Sequence, residues 1–273
     1  MSQRRLIIAA LGSSFAAGPG IEPIINKAAM RSGRNYAHKL AEELDADLKD
    51  LTVSGATLLN VLKEPQTASF SKEVFPPQLD SLPPSADIVT LTGGGNDLGY
   101  SGAMTIDSIV ASIPRPFSWA LSWWMGEVNT GVTLQQLTER FIHIADAVHL
   151  KAPNATLYLV QYATVFGEQS RPAQDIPLTQ DQICHFKQRG TLLEQAYEAA
   201  AKARPEFVKL VPVAQWSQGH EVGTMDPWCV GFTLGMLWNM TPVPYHPNAE
   251  GHRAIAEGLC GIIREAQRRT DHL

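Results

Sequence analysis

Apolar and polar positions fall into blocks along this chain, and the blocks come in two lengths. Short, nearly continuous apolar runs recur at "RRLIIAAL" (4–11), "DLKDLTV" (47–53), "ADIVTLTGGG" (86–95), "ATLYLVQYATV" (155–165) and "FVKLVPVAQ" (207–215). Their length and continuity predict strands buried on both faces. Between them lie longer segments with apolar residues at helical spacing. The segment 35–44 sets Tyr36, Leu40 and Leu44 on one face, and 133–152 does the same with Leu134, Leu137, Phe141, Ile144 and Val148. Further helices are predicted at 57–64, 179–203 and 248–269. This β-α-β-α alternation implies a parallel sheet covered on both faces. Two stretches break it, 98–130 with "FSWALSWWM" and 216–247, and both leave the sheet after a strand. No repeat or low-complexity linker divides the 273 residues, so one domain over 1–273 with two insertions is expected.

Composition narrows the function classes. A net charge of -5 and a pI near 5.9 leave no basic footprint for nucleic acid. No run of 18 apolar residues reads as a spanning helix. The start, "MSQRRLIIAALGSSFAAG", has a basic end and an apolar run like a short leader, but the run is short, and it is read as the first strand. Cys184, Cys229 and Cys260 are odd in number and widely spaced, which gives neither a disulfide framework nor a zinc pattern and points to a reducing, cytoplasmic setting. The sequons at Asn154 and Asn239 would instead fit secretion.

The loops after the strands carry the chemistry. Ser13-Ser14 follows the first strand, "SGAT" with Gly55 the second, and "GGND" with Asn96 the third; "HPNAEGH" with His246 precedes the last helix. Alone, Ser13-Ser14 is a turn like any other. Together the loops offer a hydroxyl nucleophile with a base and two donors for an oxyanion. They lack the G-x-S-x-G elbow of the α/β-hydrolases and the Lys-Ser/Thr of a phosphate loop. No cysteine or paired histidine flanks His246 and His252 at metal spacing, so no metal or other cofactor is expected.

Four such blocks in this order resemble the SGNH hydrolases, the GDSL lipase/esterase family, nearest its actinomycete and fungal members, with "DPWCVG" (226–231) as a further likeness. The resemblance spans residues 10–252. It implies a three-layer α/β/α, flavodoxin-like fold with about five parallel strands. It also implies carboxylic ester hydrolysis through an acyl-enzyme on a small-molecule ester. Ser14 matches the nucleophile, His246 the base, and the N–H groups of Ser14 and Gly55 with the Asn96 amide the oxyanion hole. Ser13 stands where the family has Asp. Val243 stands where an Asp usually orients the histidine, so the Val243 carbonyl is expected in that role, with Asp226 as the rival. His246 is then expected to titrate near its ordinary value of about 6.5. The aromatic insertion with Phe117, Trp119, Trp123 and Trp124, together with Met236 and Trp238, reads equally as core or as an apolar substrate wall. An acyltransferase using the same acyl-enzyme, and a non-catalytic binding relative, stay open as alternatives.

Overall fold

The computed structural model describes residues 4–68, 71–114, 131–238 and 241–271. Its central sheet has five parallel strands: β1 (Ile7–Gly12), β2 (Asp47–Asp50), β3 (Ile88–Thr92), β4 (Thr156–Val160) and β5 (Val208–Val211). Their spatial order is β2-β1-β3-β4-β5. That is the flavodoxin-like order, whose chain direction reverses between β1 and β3. β3 is buried along its whole length, as the unbroken apolar run "IVTLT" requires of a strand covered on both faces.

Helices cover both faces, giving the three layers. On one side α2 (Tyr36–Glu43) packs on α8 (Ala249–Asp271); on the other lie α3 (Leu58–Leu62), α5 (Leu134–Lys151) and α6 (Gln180–Ala203). The three helices of the second group each begin at a threonine in a reciprocal capping box: Thr57 with Asn60, Thr133 with Gln136, Thr179 with Gln182. α5 buries Leu137, Phe141, Ile144 and Val148 on one stripe, each such side chain contributing about 1.5–3 kcal/mol relative to exposure.

The strands are shorter than their apolar runs. β5 stops at Val211 because Pro212 has no N–H for the ladder, and a helical turn, α7 (Val213–Trp216), follows. Two small hairpins, 24–32 and 66–75, and a helix, α4 (Tyr100–Ser112), add to the predicted elements. α4 occupies the start of the first insertion. It buries Tyr100, Ala103, Met104 and Ser108, a helical spacing hidden in the sequence by the small residues around it.

Candidate active site

The nucleophile candidate sits where β1 ends. Gly12 has φ +136, and a Cβ there would lie 2.1 Å from the Thr92 carbonyl oxygen, so only glycine lets β1 run this close to β3. The Ser13 N–H donates to that same oxygen at 2.9 Å. Gln78 holds the turn from the other side: its Oε1 accepts the Gly12 N–H at 2.8 Å and its Nε2 donates to the Gly12 carbonyl at 2.9 Å. The chain then enters a single helical turn, α1 (Ser14–Ala17). Ser14 and Ser13 therefore point apart. The Ser13 hydroxyl is fully buried against the Tyr162 hydroxyl at 2.8 Å. Ser14 keeps 7% exposure, and its Oγ lies 2.8 Å from His246 Nε2.

His246 comes from the end of the second insertion. Tyr245 adopts φ +59, a left-handed conformation costly for a bulky residue. Three bonds hold it there: its N–H donates to Val230 at 2.7 Å, the Val230 N–H donates to the His246 carbonyl at 2.9 Å, and its hydroxyl meets Ser108 Oγ at 2.5 Å. Ser108 belongs to α4, so the two insertions brace each other behind the histidine. This turn folds the imidazole back onto its own chain. Nδ1 lies 2.8 Å from the Pro244 carbonyl, two residues upstream. A carbonyl only accepts, so the ring proton sits on Nδ1 and Nε2 presents a lone pair to Ser14.

Two expectations are corrected by this geometry. The orienting carbonyl is that of Pro244, because the left-handed Tyr245 turns the chain back one residue later than Val243. Asp226 is not the orienter: its side chain is 75% exposed and faces His220, whose Nδ1 meets the Asp226 carbonyl at 2.8 Å. A third expectation also changes. Burial pushes His246 from its ordinary 6.5 down to about 4, against a smaller upward pull from the Pro244 carbonyl.

The oxyanion candidates lie on the neighbouring loops. The Val53 N–H donates to the Gly12 carbonyl at 3.1 Å, which carries the loop after β2 alongside the nucleophile turn. Gly55 follows at φ +85 and is exposed. Asn96 Nδ2 donates to the Ala56 carbonyl at 2.9 Å, joining the two loops and leaving its second N–H available. The N–H groups of Ser14 and Gly55 make no hydrogen bond among the described residues. Asp97 fixes the pair from beneath: Oδ2 accepts the Leu58 N–H at 2.9 Å and Oδ1 accepts from Arg140 at 2.6 Å. Its burial raises the carboxyl above the ordinary range, while these donors pull it back. The Tyr197 hydroxyl pins Gly93 by both its N–H and its carbonyl, each at 2.9 Å.

Other candidates take no part in this arrangement. Trp119, Trp123 and Trp124, with Phe117, lie outside the described residues. Trp238 is 93% exposed and walls nothing among them, whereas Met236 is buried in the core. His252, on α8, is buried with Nδ1 accepting the Tyr36 N–H at 3.0 Å. No group of three His, Cys, Asp or Glu side chains able to hold a metal occurs among the described residues. Nor does any described helix have the length and apolar character to cross a membrane.

Gln78, Tyr162, Asp97 and Pro244 are the working residues that sequence reasoning missed. The first three are polar or aromatic side chains whose partners lie tens of residues away. Pro244 acts through its backbone and carries no side-chain signal.

Comparison with known proteins gives the family and the fold. The model of the GDSL-like lipase/acylhydrolase family matches residues 10–254. Lipase 2 of Streptomyces coelicolor is 29% identical over 272 residues, covering 93% of this chain and 84% of the relative. An extracellular lipase from Streptomyces rimosus superposes with a TM-score of 0.66 at 21% identity, over 93% of this chain and 98% of that one. Phospholipase A1 from Streptomyces albidoflavus does so with a TM-score of 0.69 at 20% identity, over 94% and 98% of the two chains.

Proposed function

The chain belongs to the GDSL-like lipase/acylhydrolase family and is a carboxylic ester hydrolase, and on that premise we propose that it works as a Ser14–His246 dyad with a three-donor oxyanion hole. The observation that carries this reading is the relay from the Pro244 carbonyl through the imidazole to Ser14 Oγ, with 2.8 Å at each end.

Ser14 Oγ attacks the ester carbonyl carbon while His246 Nε2 takes the hydroxyl proton. The carbonyl π electrons move onto oxygen, where the N–H groups of Ser14 and Gly55 and the Asn96 amide receive them. The tetrahedral centre collapses, the alcohol oxygen leaves and takes the proton from Nε2, and an acyl-Ser14 remains. Water then attacks that ester, giving its proton to Nε2, and a second collapse returns the proton to Ser14 Oγ and releases the acid.

The dyad as proposed has no carboxylate, and burial works against the imidazolium that forms as Nε2 takes the proton. A histidine held near 4 is neutral at physiological pH and ready to accept a proton. The Pro244 carbonyl fixes its tautomer and offsets some of the imidazolium's desolvation. Small esters are the substrate class this site fits. The three free thiols, Cys184, Cys229 and Cys260, support a reducing cytoplasmic setting.

A fluorophosphonate probe tests the nucleophile directly. It is expected to label Ser14, and Ser14→Ala is expected to abolish labelling and lower kcat on p-nitrophenyl esters by roughly 10⁴- to 10⁶-fold. Ser13→Ala should cost far less. Labelling that persists in Ser14→Ala, or follows Ser13 instead, removes the assignment.

A further inference from the structure

Two cavities open where β4 ends, a narrow one of about 90 Å³ and a wider one of about 620 Å³, and they share Gln161, Thr164, Phe166, Lys187 and Glu194. Four acidic residues line the wider one, Glu168, Glu194, Glu198 and Glu221, against the single cation Lys187. Glu198 lies 3.8 Å from Lys202, and Glu221 accepts the Gly219 N–H at 3.0 Å; Glu168 and Glu194 have no cationic partner among the described residues. α6 sets Glu194 and Glu198 one turn apart, a spacing at which like charges repel. Burial, with Glu198 nearby, holds the Glu194 carboxyl above its ordinary range. Apart from these charges, two neutral side chains of the narrow cavity break the rule that buried polar groups are paired. Gln161 is 4% exposed and Tyr100 5%, and neither the amide nor the hydroxyl makes a hydrogen bond among the described residues. Neither is sealed in protein, so both open onto the cavity they line.

We propose that this double cavity binds an aliphatic polyamine, with one primary ammonium seated in the narrow end and the next among the glutamates of the wider one. An ammonium carries three N–H donors and no acceptor. The Gln161 carbonyl oxygen, the Tyr100 hydroxyl oxygen and the Glu194 carboxylate all belong to residues of the narrow cavity, and all accept. Other ligand classes leave something unmet. An apolar chain would bury the amide and the hydroxyl unpaired. A neutral polar molecule would pair them but leave the carboxylates repelling one another, and an anion would add to that repulsion. A metal ion needs ligands that converge on one point, and no three His, Cys, Asp or Glu side chains do so among the described residues. Carboxylates strung along a cavity are met by positive charges strung along a chain, which is the structure of a polyamine.

The narrow cavity has room for this group. A water-sized group such as an ammonium needs roughly 10–15 Å³ of such space, and Phe166 and Leu193 in the lining offer apolar surface to the methylenes behind it. Gly190, in the middle of α6, keeps the Tyr100 hydroxyl uncovered: a Cβ there would stand 3.2 Å from it. Glycine is a poor helix residue, so its presence at this spot is a local concession to open space. Neither Ser14 nor His246 borders either cavity, and Tyr162, whose hydroxyl bonds the buried Ser13 at 2.8 Å, stands between. Polyamine binding therefore stands or falls independently of ester hydrolysis.

Isothermal titration calorimetry of the full chain with spermidine is the test. Saturable one-to-one binding is expected, weaker as salt is raised. Glu194→Gln should weaken it about tenfold, and Gln161→Leu and Tyr100→Phe each about three- to tenfold. Lys187→Gln removes the competing cation and should tighten binding about two- to fivefold. Glu265→Gln removes the same charge as Glu194→Gln but from α8, across the sheet, and should leave the affinity within about twofold. Tyr100→Phe is isosteric and carries the test should Gln161→Leu fail to fold. The absence of saturable binding overturns the proposal, as does an affinity that neither Gln161→Leu nor Tyr100→Phe changes. Equal losses in Glu194→Gln and Glu265→Gln overturn it in favour of diffuse attraction to an acidic protein. Release of spermidine by magnesium chloride at equal charge overturns it in favour of a divalent-cation site.

Discussion

At the carboxyl ends of β1 and β3 the buried polar side chains have partners: Gln78 on both backbone groups of Gly12, Ser13 on Tyr162, Asp97 on Leu58 and Arg140. At the end of β4, Gln161 and Tyr100 have none among the described residues. The first region resembles a finished machine part. On the proposed mechanism its hydrogen bonds fix the loops that carry the three donors and the hydroxyl, so that little need reorganise when charge develops on the carbonyl oxygen. The second keeps its hydrogen-bonding capacity unspent, which is what a surface awaiting a polar ligand requires.

The contrast is broken most severely by removing a donor from the finished region. Asn96→Ala deletes the amide that spans from the Ala56 carbonyl towards the oxyanion position. Its remaining N–H acts mainly in the transition state, so kcat should fall by about 10²- to 10³-fold with little change in KM. Steady-state kinetics on one p-nitrophenyl ester is sufficient. A change confined to KM would make Asn96 a substrate-binding residue and dissolve the distinction between the two regions.

A milder variant sharpens it. Tyr162 belongs to both regions: its hydroxyl holds Ser13, its ring stacks on Phe15, and Phe15 in turn lies 5.0 Å from the His246 ring. Tyr162→Phe removes the Ser13 bond together with the hydroxyl's bond to the Gly95 backbone. We expect kcat to fall about three- to tenfold at nearly constant KM, because the nucleophile turn loses one restraint while the substrate keeps its contacts. Adding Ser13→Ala to Tyr162→Phe should cost nothing more, since both changes delete the same bond. Losses that multiply would show that the two hydroxyls act separately.

How much of this was legible in the sequence follows from the range of the interactions. The β-α alternation was readable because strand and helix patterning is local. Four of the five sheet strands lie within an expected apolar run, β1 passes the end of its run by one residue at Gly12, and the order β2-β1-β3-β4-β5 is flavodoxin-like. Ser14 and His246 were named from the family resemblance that their blocks carry, and a 2.8 Å contact joins them across 232 residues. The orienting carbonyl was not. It depends on the left-handed φ of Tyr245, which is imposed by Val230 and Ser108 from elsewhere in the chain. α4 was missed for a related reason. Its buried stripe includes serine and alanine, which do not stand out against a polar background. Gln161 is the sharpest case: a glutamine after an apolar run reads as the first solvent-facing residue, and only the fold shows it buried and unpaired.

The smallest effect should come from Asp226→Asn, and it tests whether the Ser14–His246 pair works without a catalytic acid. In a Ser-His-Asp triad the corresponding change lowers kcat about 10⁴-fold, because the acid sets the tautomer and stabilises the imidazolium. Here the Pro244 carbonyl sets the tautomer, and Asp226 is solvated beside His220. Asp226→Asn should therefore leave kcat within about twofold, the scale of a surface change. The pH profile gives the same argument a sign. Catalysis needs neutral His246, and burial holds its pKa at about 4, so kcat/KM should stay level as pH falls through 6.5 and drop only on approaching about 4. A carboxylate partner would raise that pKa and move the acid limb upward. Stability runs the other way over the same window. A histidine depressed below its unfolded value binds fewer protons when folded, so the fold weakens as pH drops from about 6.5, and His252, held at about 3, adds to the trend. The profile must thus be read on protein whose circular dichroism shows it folded at each pH. An acid limb near 6.5 or above in folded protein, lowered by Asp226→Asn, would restore an acid to the mechanism.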